Sequence, residues 1–186
     1  MKAFIVTDRE YHTPAFLEAR ETLRECLVGR GFELEEADIG AGDLAHCMGC
    51  FGCWIKKPGE CVIGNKMAEL NRKAMNSDAV FYLCPVIFGQ FSANIKDAID
   101  RWLPNMLPFF EKRPDGSTMH PPRYDSYPKQ VMVGYGDGLT AEDAGLFTDI
   151  TKKHRTDVEV LVLGRPGANL AAALAGMRLE RVGGSL

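Results

Sequence analysis

The chain reads as an α/β protein built on a doubly wound, five-stranded parallel sheet with helices on both faces. Three observations predict this. Five short runs rich in β-formers are separated by segments with helical spacing of apolar residues. The third run, Ala79-Val-Phe-Tyr-Leu-Cys84, has no charge and suits a central strand buried on both faces. The second, Phe32 to Ile39, carries four acidic residues and suits an edge. Parallel neighbours need right-handed crossovers, and an outermost second strand agrees with the order 2-1-3-4-5.

The elements follow in order. Lys2–Thr7 is the first strand. Thr13-Pro14 opens a helix, with threonine as N-cap and proline at the first helical position, running to Gly29 or Gly31. Phe16, Leu23 and Leu27 share its inner face, with Cys26 beside them as a small core residue. A second helix spans about Lys66 to Asn76, with Asn65 as N-cap and Met67, Leu70 and Ala74 inward. Ser92 can cap a third, with Ile95, Ile99 and Trp102 on one face, ending before Pro104. Gln130–Tyr135 is the fourth strand, and Thr140-Ala-Glu-Asp143 is a capping box for the next helix. Asp157–Leu163 is the fifth strand. A last helix runs from about Gly167 to Arg181, with Leu170, Leu174 and Met177 inward, before a frayed Gly183-Gly184.

With 186 residues, 46% of them hydrophobic and 25% charged, the chain suits one globular domain, 1–186. A net charge of -3 gives no electrostatic reason to expect nucleic acid or an anionic membrane. No apolar run is long enough for a membrane span and residues 1–20 lack a signal-peptide pattern, so the expected compartment is the cytoplasm. Residues 105–128 form a Pro-rich insertion; its Phe109, Phe110, Tyr124 and Tyr127 favour a lid or subunit contact, hence a homodimer or higher oligomer.

Candidate site residues fall where strands end, because ligands of open α/β sheets bind outside the strands' carboxyl ends. The loop Asp8-Arg-Glu-Tyr-His-Thr13 offers an anion the amino end of a helix. It lacks glycines that would let backbone wrap a phosphate. Arg9 and His12 either supply charge-assisted bonds instead or are solvated loop residues. Pro85 to Gly89 is either a binding lip or an ordinary turn, and Gly136-Asp137-Gly138 likewise. Cys47, Cys50, Cys53 and Cys61 place four thiols in one loop at 40–64. Such spacing suits a [4Fe-4S] cluster, then zinc, and free or partly disulfide-bonded thiols remain a third reading. Phe51 and Trp54 are expected to pack that loop.

The stretch Cys84 to Arg101 resembles the second flavin-contacting loop of the flavodoxin-like NAD(P)H-dependent FMN reductases, S-P-V-Y-F-G-x-x-S-x-x-x-K-x-x-I/L-D-R. Pro85, Val86, Phe88, Gly89, Ser92, Lys96, Asp100 and Arg101 match, while Cys84 and Ile87 depart from it. The cysteine segment resembles both the compact motif of iron-sulfur flavoproteins and a similar segment of flavin reductases without an evident cluster. The resemblance implies a flavodoxin-like fold with FMN across the strand ends. It would be held by Thr7, Arg9, His12 and Thr13 at the phosphate, by Pro85, Val86, Ile87, Phe88 and Gly89, and by Tyr135, Gly136, Asp137 and Gly138. The implied function is an FMN-dependent NAD(P)H oxidoreductase of the flavin or quinone reductase type, with nicotinamide and a small electron acceptor or redox protein as partners. No catalytic acid or base is implied. The alternatives are an iron-sulfur electron carrier and a domain that has lost FMN and acts as a binding module.

Overall fold

The structure, a computed structural model, describes residues 1–64, 66–114, 116–154, 157–164 and 169–184. The strands are β1 Lys2–Asp8, β2 Glu33–Ile39, β3 Ala79–Ile87, β4 Gln90–Phe91, β5 Glu111–Lys112, β6 Thr118–Met119, β7 Ser126–Tyr127, β8 Lys129–Tyr135, β9 Glu159–Val162 and β10 Val182–Gly183. The α-helices are α1 Pro14–Gly29, α2 Gly52–Ile55, α3 Met67–Met75, α4 Ala93–Asp100, α5 Ala141–His154 and α6 Leu170–Ala175.

The main sheet has the order β2-β1-β3-β8-β9, every one of these neighbours parallel, with the short β4 folded back antiparallel onto β3. Period-two alternation divides the strands between two cores. On one face Val80, Tyr82 and Cys84 of β3 pack with Met67 and Leu70 of α3, Ile95 and Ile99 of α4 and Phe147 of α5. On the other, Ala79, Phe81 and Leu83 pack with Phe16, Leu23 and Leu27 of α1 and Leu170 and Leu174 of α6. The charged β2 does lie at an edge. No described helix is long and apolar enough to cross a membrane.

Local sequence accounts for most boundaries. The Thr13 hydroxyl accepts from Phe16 N at 3.3 Å and caps α1. Thr140 and Asp143 exchange side-chain to backbone bonds, the capping box that starts α5. Cys26 is half-buried and packs against the α1 core.

Four expectations need correction. β3 does not stop at Cys84: Pro85, Val86 and Ile87 continue it, because β8 lies beside Pro85 and the returning β4 pairs with Val86 and Ile87. Ser92 holds the N-cap backbone geometry, yet its hydroxyl makes no capping bond. α6 ends at Ala175 instead of Arg181, since the Arg30 guanidinium takes the carbonyls of Leu174 and Met177 at 2.6 and 2.9 Å and bends the chain away. Gly183 is not frayed: β10 pairs with β7, and Arg181 anchors it through the carbonyls of Met75, Ser77 and Ser126. Asn65 and Gly167, expected at helix starts, lie outside the described residues.

The insertion is tied down at its base. Asn105 is fully buried and exchanges amide bonds with Asn71 at 2.7 and 3.1 Å, while the Arg123 guanidinium donates to the carbonyls of Pro104 and Met106. Its tip, carrying the β5–β6 hairpin, leaves Phe109 and Phe110 mostly exposed.

Candidate functional site at the carboxyl ends of the strands

Two strands that end side by side, β1 and β3, start the site. β1 delivers Thr7 and Asp8. In the β1–β2 register Thr7 lies opposite Asp38, and its hydroxyl donates to Asp38 Oδ1 at 2.6 Å. His12 Nε2 meets the same oxygen at 3.2 Å while its ring stacks on Phe16, centroids 4.3 Å apart. Arg9 pairs with Asp43, whose other oxygen takes Lys66 Nζ at 2.8 Å. The Lys66 hydrogen bond, then the Gly40 N–H, hold the Asp43 carboxyl well below its usual range, at about 2. A Cβ at Gly40 would stand 2.2 Å from Arg9 Nη2, so a larger residue there would displace the Arg9 guanidinium from its present position. Thr13 spends its hydroxyl on the α1 cap. Of the four groups expected around a phosphate, Thr7, Arg9 and His12 are already paired with carboxylates, and the Thr13 oxygen accepts the α1 cap bond.

Asp8 was not among the expected site residues. It is fully buried; Oδ1 accepts from Glu10 N at 3.0 Å and from Asn94 Nδ2 at 2.9 Å, and Oδ2 has no partner. Asn94 stands in the first turn of α4, so this bond joins the first loop to the second. The signal in the sequence was slight: an aspartate after the last apolar residue of a strand, read as loop.

The lip is a tight hairpin turn. Pro85 and Val86 are buried in β3, Ile87 is half-buried, and Phe88 stands at the tip 90% exposed, with φ 49°. Gly89 has φ 69°, and a Cβ on it would meet Leu146 Cδ2 of α5 at 2.7 Å. Ser92 is 2% exposed, its hydroxyl without a nitrogen or oxygen partner. It lies against the Cys84 thiol, whose pKa burial pushes up to about 12.

At the third loop Gly136 is half-buried and Asp137 and Gly138 are exposed at the end of β8. Tyr135 is different. It is 1% exposed, packs beside Phe16, and its hydroxyl donates to Tyr11 O at 3.0 Å, with burial raising its pKa. It braces the first loop from the core instead of facing a ligand.

In the cysteine loop Cys47 and Cys50 are exposed, Cys61 is half-buried and Cys53 is buried in α2. Burial, then the neighbouring Cys61, Cys47 and Cys50, raise the Cys53 pKa. Among the described residues no three Cys, His, Asp or Glu side chains are grouped to hold a metal ion, so the thiols as folded do not form a ready ligand set. Trp54 packs the loop as expected, stacking on Phe51 and donating Nε1–H to Met106 O at 2.9 Å. Sequence reasoning missed the role of Arg101. This side chain is 1% exposed beneath the loop and donates to Ala45 O at 3.2 Å, Ile63 O at 2.8 Å and Cys61 Sγ at 3.2 Å, drawing the two ends of the loop together.

An apolar cavity of about 240 Å³ lies elsewhere. Trp102, Met106 and Tyr127 line it together with Gln130 and Val158, at the amino ends of β8 and β9.

The chain is similar to a curated iron-sulfur flavoprotein of Archaeoglobus fulgidus, 33% identical over 68% of this chain and 51% of that one. It is also similar to an iron-sulfur flavoprotein of Methanocaldococcus jannaschii, 32% identical over 50% of this chain and 47% of that one. The matches thus span about half the length of these relatives. Among solved structures, an NAD(P)H:quinone oxidoreductase from Methanothermobacter marburgensis superposes with a TM-score of 0.65 at 16% identity, covering 94% of this chain and 90% of that one. That likeness is one of fold. The sequence pattern of the family described as NADPH-dependent FMN reductase matches residues 15–114, more than half the chain, and the chain belongs to that family.

Proposed function

We propose that the chain is an FMN-dependent NAD(P)H oxidoreductase of the flavin or quinone reductase type, built on a flavodoxin-like sheet. The sheet order β2-β1-β3-β8-β9 supports that reading, the two-residue strands counting as additions to a 2-1-3-4-5 plan. The observation that carries the reading is the meeting of three loops at one end of the sheet within a chain of this family. Asn94 bonds to Asp8 across the first two, and Tyr135 bonds to Tyr11 beneath the first and third.

Bound there, a flavin supplies the hydride chemistry with the nicotinamide, and the protein supplies position and electrostatics. Phe88, presented on a turn pinned against α5, offers an aromatic face to a planar ring. Gly136 to Gly138 line the opposite lip without bulk. These residues suit the ring; those of the first loop suit a phosphate less well, since Thr7, Arg9 and His12 are paired with carboxylates and Thr13 accepts the α1 cap bond. The acceptor is a small molecule or a redox protein, and Phe109, Phe110 and Tyr124 are the surface for a second copy of the chain.

A second reading, the iron-sulfur electron carrier, rests on the four cysteines of one loop and on relatives named iron-sulfur flavoproteins. Cys47, Cys50, Cys53 and Cys61 would then have to close inward around the cluster.

One preparation separates the readings. Protein purified without oxygen is expected to show flavin absorbance that bleaches on adding NADH or NADPH. Iron and sulfide in addition would select the electron carrier. A colourless protein that takes up no added flavin would end both and leave the binding module.

A further inference from the structure

We propose that the crevice between the ends of β1 and β3 recognises a flavin through the hydroxyls of its side chain and discriminates against the terminal phosphate, so that riboflavin binds at least as well as FMN. This rests on the flavin-dependent oxidoreductase reading above and changes one part of it, the flavin preferred at the site.

The first ground is an unfilled requirement. Asp8 Oδ2 is buried with no partner, and Ser92 Oγ is buried without a nitrogen or oxygen partner. The Asn94 bond to Asp8 Oδ1 draws the two elements together. A buried carboxylate oxygen is costly to leave unmatched and can only accept, so what completes it must carry a donor. A ligand hydroxyl donates to Asp8 and exchanges hydrogen bonds with Ser92. A phosphate dianion has no donor, and it would bring negative charge against a carboxylate shielded from water.

The second ground is that most of the donors expected in this loop are already engaged. Glu10 N is bonded to Asp8, Thr13 N to Tyr11 O and Phe16 N to the Thr13 hydroxyl, while Pro14 has no N–H. Arg9 and Lys66 are both held by Asp43, and Thr7 and His12 by Asp38. No glycine occurs between Thr7 and Thr13 to bring further backbone inward.

The third ground is charge. Asp8 and Glu10 lie in the loop, and Asp38 and Asp43 bond to Thr7, His12 and Arg9 of it, so four carboxylates stand against Arg9, Lys66 and His12 and oppose the attraction of the α1 amino end for an anion.

The test is a fluorescence titration of the flavin-free protein with riboflavin and with FMN, at low and at high salt. Riboflavin is expected to bind as tightly as FMN or more tightly at low salt, and added salt should strengthen FMN alone by screening the carboxylates. In Asp8→Asn, which removes one charge and offers an N–H, FMN should bind about tenfold more tightly while riboflavin gains nothing. FMN binding more than tenfold tighter than riboflavin to the native protein at both salts would overturn the proposal and leave the flavin reading standing. Neither flavin binding would overturn both. If Asp8→Asn does not fold, the salt series on the native protein decides alone.

Discussion

Replacing Arg101 by leucine lowers the melting temperature by about 4–24 °C. The guanidinium is buried and satisfies the carbonyls of Ala45 and Ile63 while touching Cys61 Sγ. Leucine fills part of the volume but leaves two carbonyls with no donor. Each such loss costs about 1–3 kcal/mol, and a chain of this size shifts by about 2–4 °C per kcal/mol. Lysine should not rescue the protein, because one ammonium on a flexible stem cannot reach three acceptors in different directions. Calorimetry checks the melting point, and hydrogen exchange over 45–63 should show the loop opening first. An Arg101→Leu protein with native melting and native protection of that segment would show that the loop is held by something else.

Gly89→Val is expected to destabilise the fold by about 2–5 kcal/mol and to remove flavin binding with it. The cause is not crowding of the ring. At φ 69° a β-branched residue is strained, and its Cβ would run into Leu146, not toward the crevice. A companion pair separates the two explanations. Gly89→Ala should lose stability, and Gly89→Ala with Leu146→Ala should recover part of it together with flavin binding, because the smaller residue at 146 removes the Cδ2 and Cγ contacts and leaves only its Cβ at 3.1 Å. If the pair recovers stability and still excludes flavin, Gly89 itself faces the ligand.

Much of the fold was legible because its signals are local. Thr13-Pro14 and the Thr140 to Asp143 box announce helix starts in neighbouring residues, and the uncharged run from Ala79 announces a central strand. What was not legible depends on distant partners. Pro85 looks like a strand breaker until β4 folds back beside Val86 and Ile87. The shortened α6 follows from Arg30, 144 positions before Leu174. The site divides in the same way. The sequence located its loops, but not the occupation of Arg9 by Asp43 or of His12 by Asp38, which follows from setting β2 beside β1. Asp8 became visible only when Asn94, 86 positions later, was brought against it. Tyr135 sits at a strand end and so looked accessible; strand alternation turns it into the core instead.

The central claim is that the flavin lies across the carboxyl ends of β1, β3 and β8, and hydrogen exchange with and without saturating riboflavin tests it most directly. Protection is expected at Ile87 to Phe91 and at Gly136 to Gly138, with Trp102 to Met106 unchanged. Protection confined to the segments around the apolar cavity, near Trp102, Met106 and Val158, with the lip unaffected, would contradict it.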